Sequence, residues 1–90
     1  KIILMNINEL IAIIKNKLES EITIQDLKIE DKSFLHKNHK GHQEGKFHLK
    51  LTIKSEELSN SSKLISTKKV YNILDTELKE HIHSIQILLN

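Results

Sequence analysis

Six histidines and no cysteine are the chemistry-bearing feature of this lysine-rich chain. His36, His39, His42 and His48 fall in one short stretch, and His81 and His83 stand just before the last apolar run. Neutral imidazole is a common ligand for transition metals, so a fold that brings the two groups together could set them around one ligand. The spacing of His36, His39 and His42 matches neither an i, i+4 helical pair nor a closed structural zinc site, and these three also read as a solvated loop. With no cysteine, disulfides and thiolate ligands are excluded, and an iron–sulfur cluster would have to borrow its thiolates. No Ser/His/Asp or Cys/His arrangement can be built from the sequence, and the chain is not expected to be an enzyme.

Length and charge narrow the choice further. Ninety residues allow one domain, 1–90, with a modest core. No segment reaches the roughly 18–20 apolar residues that span a bilayer, and the start lacks the h-region and cleavage site of a signal peptide. A soluble protein of the bacterial cytoplasm, with no membrane partner, is the expectation. Met5 could be the natural start, with residues 1–5 an upstream extension. The formal charge is only +2, and every basic residue is lysine. Arginine is the side chain that reads guanine edges bidentately, so sequence-specific DNA reading is poorly served, while nonspecific phosphate contact by lysine stays open. Abundant Ile, Lys and Asn also fit the compositional drift of an AT-rich genome.

The elements that must position the histidines follow from periodicity. Ile7, Leu10, Ile11, Ile14 and Leu18 recur at helical spacing, and Asn6 with Glu9 resembles a capping box, so a helix is predicted over 7–18. A β-branched stretch follows, its parity changing near Gln25 and Asp26, which predicts a strand from about Leu27 or a bulge. A polar loop of roughly sixteen residues, 31–46, carries most of the histidines; long loops in compact folds are often functional or disordered. From Phe47 the alternation is nearly ideal, with Leu49, Leu51 and Ile53 on the same face as Phe47 and His48, Lys50, Thr52 and Lys54 on the other. A short helical turn is expected around 56–58, a left-handed turn at Asn60, and a second main helix marked by Leu64, Val70, Tyr71, Leu74 and Leu78. The last run, 82–89, sets Ile85, Ile87 and Leu89 against Ser84 and Gln86, with His83 sharing the parity of the apolar set. This order predicts an α+β domain: a small mixed sheet of three strands with helices on one face.

Several stretches together resemble the BolA family: Asp31-Lys-Ser-Phe-Leu-His36, then Phe47-His48-Leu49 running to Ile53-Lys-Ser55, then Lys68-Lys-Val70-Tyr71-Asn-Ile-Leu74 with Glu77-Leu78, and finally Ile82-His83-Ser84-Ile85. The resemblance covers almost the whole chain. It implies a BolA-like, class II KH-like fold of order helix, strand, strand, helix, helix, strand. It also implies an adaptor that pairs with a monothiol glutaredoxin and shares a glutathione-ligated [2Fe-2S] cluster, in iron–sulfur trafficking or iron and redox regulation. The family's two ligand positions fall on His36 and His83, while His48 matches a further family histidine read as structural. His83 is the preferred ligand, since a strand fixes its direction better than a loop fixes His36. Imidazole can ligate an iron already held by sulfide and thiolate, as in Rieske-type sites. In isolation the chain is expected to carry no cofactor and to be a monomer or weak homodimer.

The alternative is a nucleic-acid-binding transcriptional regulator acting through a helix-turn-helix-like region, 60–78, with Lys63, Lys68 and Lys69 as its cations. In the family that helix usually carries an Arg-His-Arg-like triplet; here the positions read Ser66-Thr67-Lys68, which weakens the DNA reading. A KH-type GXXG clamp is also absent, the only glycines being Gly41 and Gly45.

Overall fold

The computed structural model of this chain describes residues 6–33 and 46–90. Asn6 opens the first helix, α1 (Ile7–Glu21): its Oδ1 accepts from the Glu9 backbone N–H at 2.9 Å, and its amide nitrogen donates back to the Glu9 carboxylate. The Asn6 cap is the one the Asn6/Glu9 spacing predicts, but the return bond to Glu9 comes from the Asn6 side chain and not from its backbone N–H as in a full capping box. The helix buries Leu10, Ile14 and Leu18. It runs a turn beyond the predicted 7–18 and stops where Ile22 turns extended, still donating its N–H to Leu18 at 2.9 Å.

Three strands follow the predicted pattern. Strand β1 (Asp26–Asp31) pairs antiparallel with β2 (Phe47–Lys54), and β2 pairs parallel with β3 (Ile82–Leu89), giving the sheet order β1-β2-β3. Parallel neighbours need a crossover, and this one is helical: α2 (Glu56–Ser59), α3 (Lys63–Ile73) and α4 (Asp75–Glu80). Serines start two of these helices. The Ser55 hydroxyl accepts from Leu58 N–H at 3.2 Å and donates to the Thr23 carbonyl at 2.7 Å, while Ser62 accepts from Ile65 N–H at 3.2 Å.

Two local expectations are corrected. Asn60 sits at φ −80° and ψ −5°, in the right-handed region, because it closes α2 with a helical turn and its N–H donates to the carbonyls of Glu56 and Leu58. The second main helix is two helices, broken at Leu74 (φ −97°, ψ 17°), which lies fully buried. No proline or glycine marks the break. Leu74, four residues after the buried Val70, would face the core in a straight helix too, so what the bend changes is the course of α4 towards β3.

The core joins Leu10, Ile14, Leu18 and Ile22 to Leu49, Leu51 and Ile53 of β2 and to Leu58, Val70, Leu74 and Ile82. Every β2 residue in that set has the same parity, so the helices cover one face of the sheet. Burying each such aliphatic side chain stabilises by about 1.5–3 kcal/mol against exposure. A half-buried ion pair ties α1 to α4: Lys17 Nζ lies 2.7 Å from Glu77 Oε2, whose side chain is only 7% exposed. The result is an α+β domain with a mixed three-stranded sheet. Among the described residues, no helix is long and apolar enough to cross a membrane.

Candidate functional site

The chemistry gathers where β2 and β3 begin. Phe47 is opposite Ile82, yet His48 is opposite Ser84, so His83 is the extra residue of a β-bulge. The bulge resolves a conflict of parity: Ile82 enters the core, and so do Ile85 and Ile87 at least in part, which strict alternation forbids. With one residue looped out, both sets face inward. The price falls on His83, which does not join the apolar face as its parity predicts but stands exposed.

His48 shows the opposite departure. Its parity places it on the face away from the helices, yet it is only 4% exposed. Its ring is held at both nitrogens: Nδ1 lies 2.6 Å from Ser84 Oγ, and Nε2 lies 3.2 Å from His83 Nδ1. The two imidazoles meet edge to face, with centroids 4.7 Å apart and planes at 76°. The backbone is equally fixed. His48 N–H donates to Ser33 Oγ at 3.0 Å, its carbonyl accepts from Lys32 N–H at 2.7 Å, and Phe47 N–H donates to the His81 carbonyl at 3.0 Å. His81 itself is half-buried, and its N–H closes α4 on the Glu77 carbonyl at 2.8 Å.

Charge beside this end of the sheet is locally balanced. Lys32 lies 3.1 Å from Glu30, and the Lys32 hydrogen bond, aided by the charges of Lys28, Lys32 and Lys50 and opposed by partial burial, holds the Glu30 carboxyl below its ordinary range. A shallow hollow lined by Lys32, His48, Lys50, Ser84 and Gln86 opens beside the buried ring. His36, the other predicted ligand, lies outside the described residues, as do His39 and His42. Among the described residues no three His, Cys, Asp or Glu side chains converge as a metal site.

The second candidate region is the outer face of α3. Lys63 and Lys68 are exposed, whereas Lys69 is committed to Glu57 at 2.9 Å. That hydrogen bond, with a second from Thr23 N–H at 3.0 Å, holds the Glu57 carboxyl below its ordinary value. Interleaved with the lysines are Leu64, Ile65 and Tyr71, exposed by 65%, 60% and 40%. The face is therefore as apolar as it is basic, and a duplex backbone would not satisfy its apolar part.

The residues that spacing could not reveal are Ser84 as a partner of His48 and the His48–His83 contact itself. The two histidines are 35 positions apart and meet only through the parallel register of β2 and β3. The one available signal was the shared presence of a histidine at the opening of each strand.

A mixed three-stranded sheet with its helices on one face, and with two imidazoles joined across its parallel pair, defines a small α+β domain. The family model described as BolA-like protein matches residues 18–90, and the chain belongs to the BolA family. It is 31% identical over 77 residues to the DNA-binding transcriptional regulator BolA of Haemophilus influenzae, covering 86% of this chain and 72% of that protein. It is 30% identical over 80 residues to SufE-like protein 1, chloroplastic/mitochondrial, of Arabidopsis thaliana, covering 83% of this chain but 22% of the relative. The chain thus spans about a fifth of that protein's length. Among solved structures, BolA1 from Arabidopsis thaliana superposes with a TM-score of 0.75 at 27% identity, covering 88% of this chain and 87% of the other.

Proposed function

We propose that this chain is an adaptor that lends imidazole to a [2Fe-2S] cluster held jointly with a monothiol glutaredoxin and glutathione, in cluster trafficking or iron and redox regulation. The observation that carries this reading is the exposed His83 ring, lifted out of the sheet by a bulge and braced from behind by a buried His48. The donor set suits a shared cluster and not a resident one. The sequence has no cysteine, and one braced imidazole cannot hold iron alone, so the thiolates must come from the partner and glutathione. His36 is the second ligand by family correspondence, and His48 is a supporting group.

The test is to mix the protein with [2Fe-2S]-loaded monothiol glutaredoxin and glutathione, recording visible circular dichroism and the mass of the complex by size exclusion. A heterodimer whose cluster spectrum changes on His83→Ala, with the fold intact, is the expected result. Spectra unaltered in His83→Ala, His36→Ala and the double variant would refute the ligand assignment.

One observation favours a second reading, nucleic-acid binding: Lys63 and Lys68 stand exposed on α3. Each lysine that meets phosphate lowers the salt slope by about 1 when removed. Lys63 and Lys68 should each show that loss in duplex titrations, and Lys69, tied to Glu57, a smaller one. No detectable duplex binding at low salt removes this reading.

A further inference from the structure

We propose that Ser84, His48 and His83 form a proton-ordered chain that keeps the His83 proton on Nδ1 and so presents its Nε2 lone pair outward. The proposal rests on the reading of His83 as a ligand and assigns His48 as its positioning residue.

A neutral imidazole has one proton for two nitrogens. With His83 Nδ1 at 3.2 Å from His48 Nε2, one proton lies between the rings, and its owner fixes the rest of the chain. If it belongs to His83, then His48 Nε2 accepts, the His48 proton sits on Nδ1, and that N–H donates to Ser84 Oγ at 2.6 Å. The His83 Nε2 is then bare and able to ligate. If it belongs to His48, the order reverses: the Ser84 hydroxyl donates to Nδ1, His48 donates to His83, and the His83 proton is pushed to Nε2, where it blocks a metal. The same two contacts therefore describe one state able to ligate and one unable.

Two features of the fold serve the first state. Ser84 is exposed, so its hydroxyl can accept from His48 while donating its own proton to water, and no polar group is left unsatisfied. His48 is buried and its backbone is bonded on both sides, to Ser33 and to Lys32, so the ring nitrogen aimed at His83 is fixed in place before any metal arrives. Ligating histidines regularly donate their other N–H to such a partner, which orients the ring and raises its basicity. The bulge completes the arrangement. As the residue without a ladder partner, His83 can lean its Nδ1 onto His48 and still hold Nε2 clear of the sheet.

The experiment pairs ring-nitrogen NMR of the free protein with cluster titration in the glutaredoxin complex, for wild type, His48→Gln, His48→Phe and His83→Ala. A glutamine carbonyl can stand near the position of Nε2 and accept; phenylalanine fills the space and cannot. Wild type and His48→Gln should show His83 protonated on Nδ1 and similar cluster binding, while His48→Phe should move that proton to Nε2 and weaken cluster binding about 10- to 100-fold. Wild-type His83 protonated only on Nε2 overturns the proposal without any variant. So does a His48→Phe protein that binds as wild type does while His83→Ala does not, an outcome that leaves the ligand reading standing. Cluster binding indifferent to His83→Ala would overturn both.

Discussion

The imidazole end of the sheet and the outer face of α3 invert the usual rule of burial in opposite ways. At the sheet end, a polar side chain is buried, bonded at both ring nitrogens and aimed at an exposed neighbour. On α3, large apolar side chains stand in solvent beside lysines, and the one tied cation, Lys69, is answered by Glu57 from α2. Placement at the sheet end is over-determined, whereas on α3 only the inner side, through Ser66 and Val70, is fixed. The difference separates side chains held in one direction from a face held only on its inner side. A ligand needs an atom held to within a fraction of an ångström, while a contact face needs only area and charge.

The largest effect should come from beneath both regions. Leu51 is fully buried at the centre of β2, and Leu51→Ala should cost about 2–5 kcal/mol in urea unfolding. A loss under about 1 kcal/mol would mean that the two regions do not share one core. Next is the clamp that leads into the imidazole end. Lys17→Met leaves the buried Glu77 carboxylate without its cation and should cost about 1–3 kcal/mol, with Glu77→Leu in the same chain recovering much of it. Equal destabilisation in the single and double variants would dismiss the ion pair as the cause.

On the helical side the effect depends on pH. The Glu57 carboxyl is lowered from its ordinary 4.5 chiefly by Lys69, so the folded state binds its proton less readily than the unfolded chain. Its contribution is present above that ordinary value and disappears as pH falls through the lowered folded one. Wild type should therefore exceed Glu57→Gln in stability near neutral pH by more than it does near pH 3, with a difference constant across that range counting against the bond. Smallest of all, Leu64→Ala should change stability by less than about 0.5 kcal/mol, because the side chain is 65% exposed. If it costs as much as a core residue, the outer face of α3 is covered, and the contrast between the regions closes.

Much of the scaffold was legible because it depends on short-range chemistry. Asn6 and Glu9 announce the first helix by capping, and the alternation from Phe47 to Lys54 gives β2 to the residue. Legibility ends where a tertiary demand overrides a local period. The continuous helical pattern is broken at Leu74, where no breaker residue stands and where the apolar spacing from Val70 runs on unchanged. Ile82 and Ile85 cannot both face inward on a regular strand, so the misplaced His83 was an arithmetic hint of the bulge. The alternation sets His48 on the polar face of its strand, but nothing local reports that it would be buried there against Ser84 and His83. That contact exists only once a crossover has set two distant strands in parallel register.

The bulge at His83 also bears on how the protein keeps to itself. Among the described residues β3 is an edge, paired on one side with β2 and without a strand on the other. Its apolar run, Ile85, Ile87, Leu88 and Leu89, is the kind of sequence that invites a second chain to extend the ladder. A looped-out residue at the entrance of that edge spoils the spacing an incoming strand would need and increases the local twist. The looped-out His83 thus interrupts the edge along which a second chain would pair, and removing it outright, rather than replacing it, would restore a straight edge and raise the tendency to aggregate.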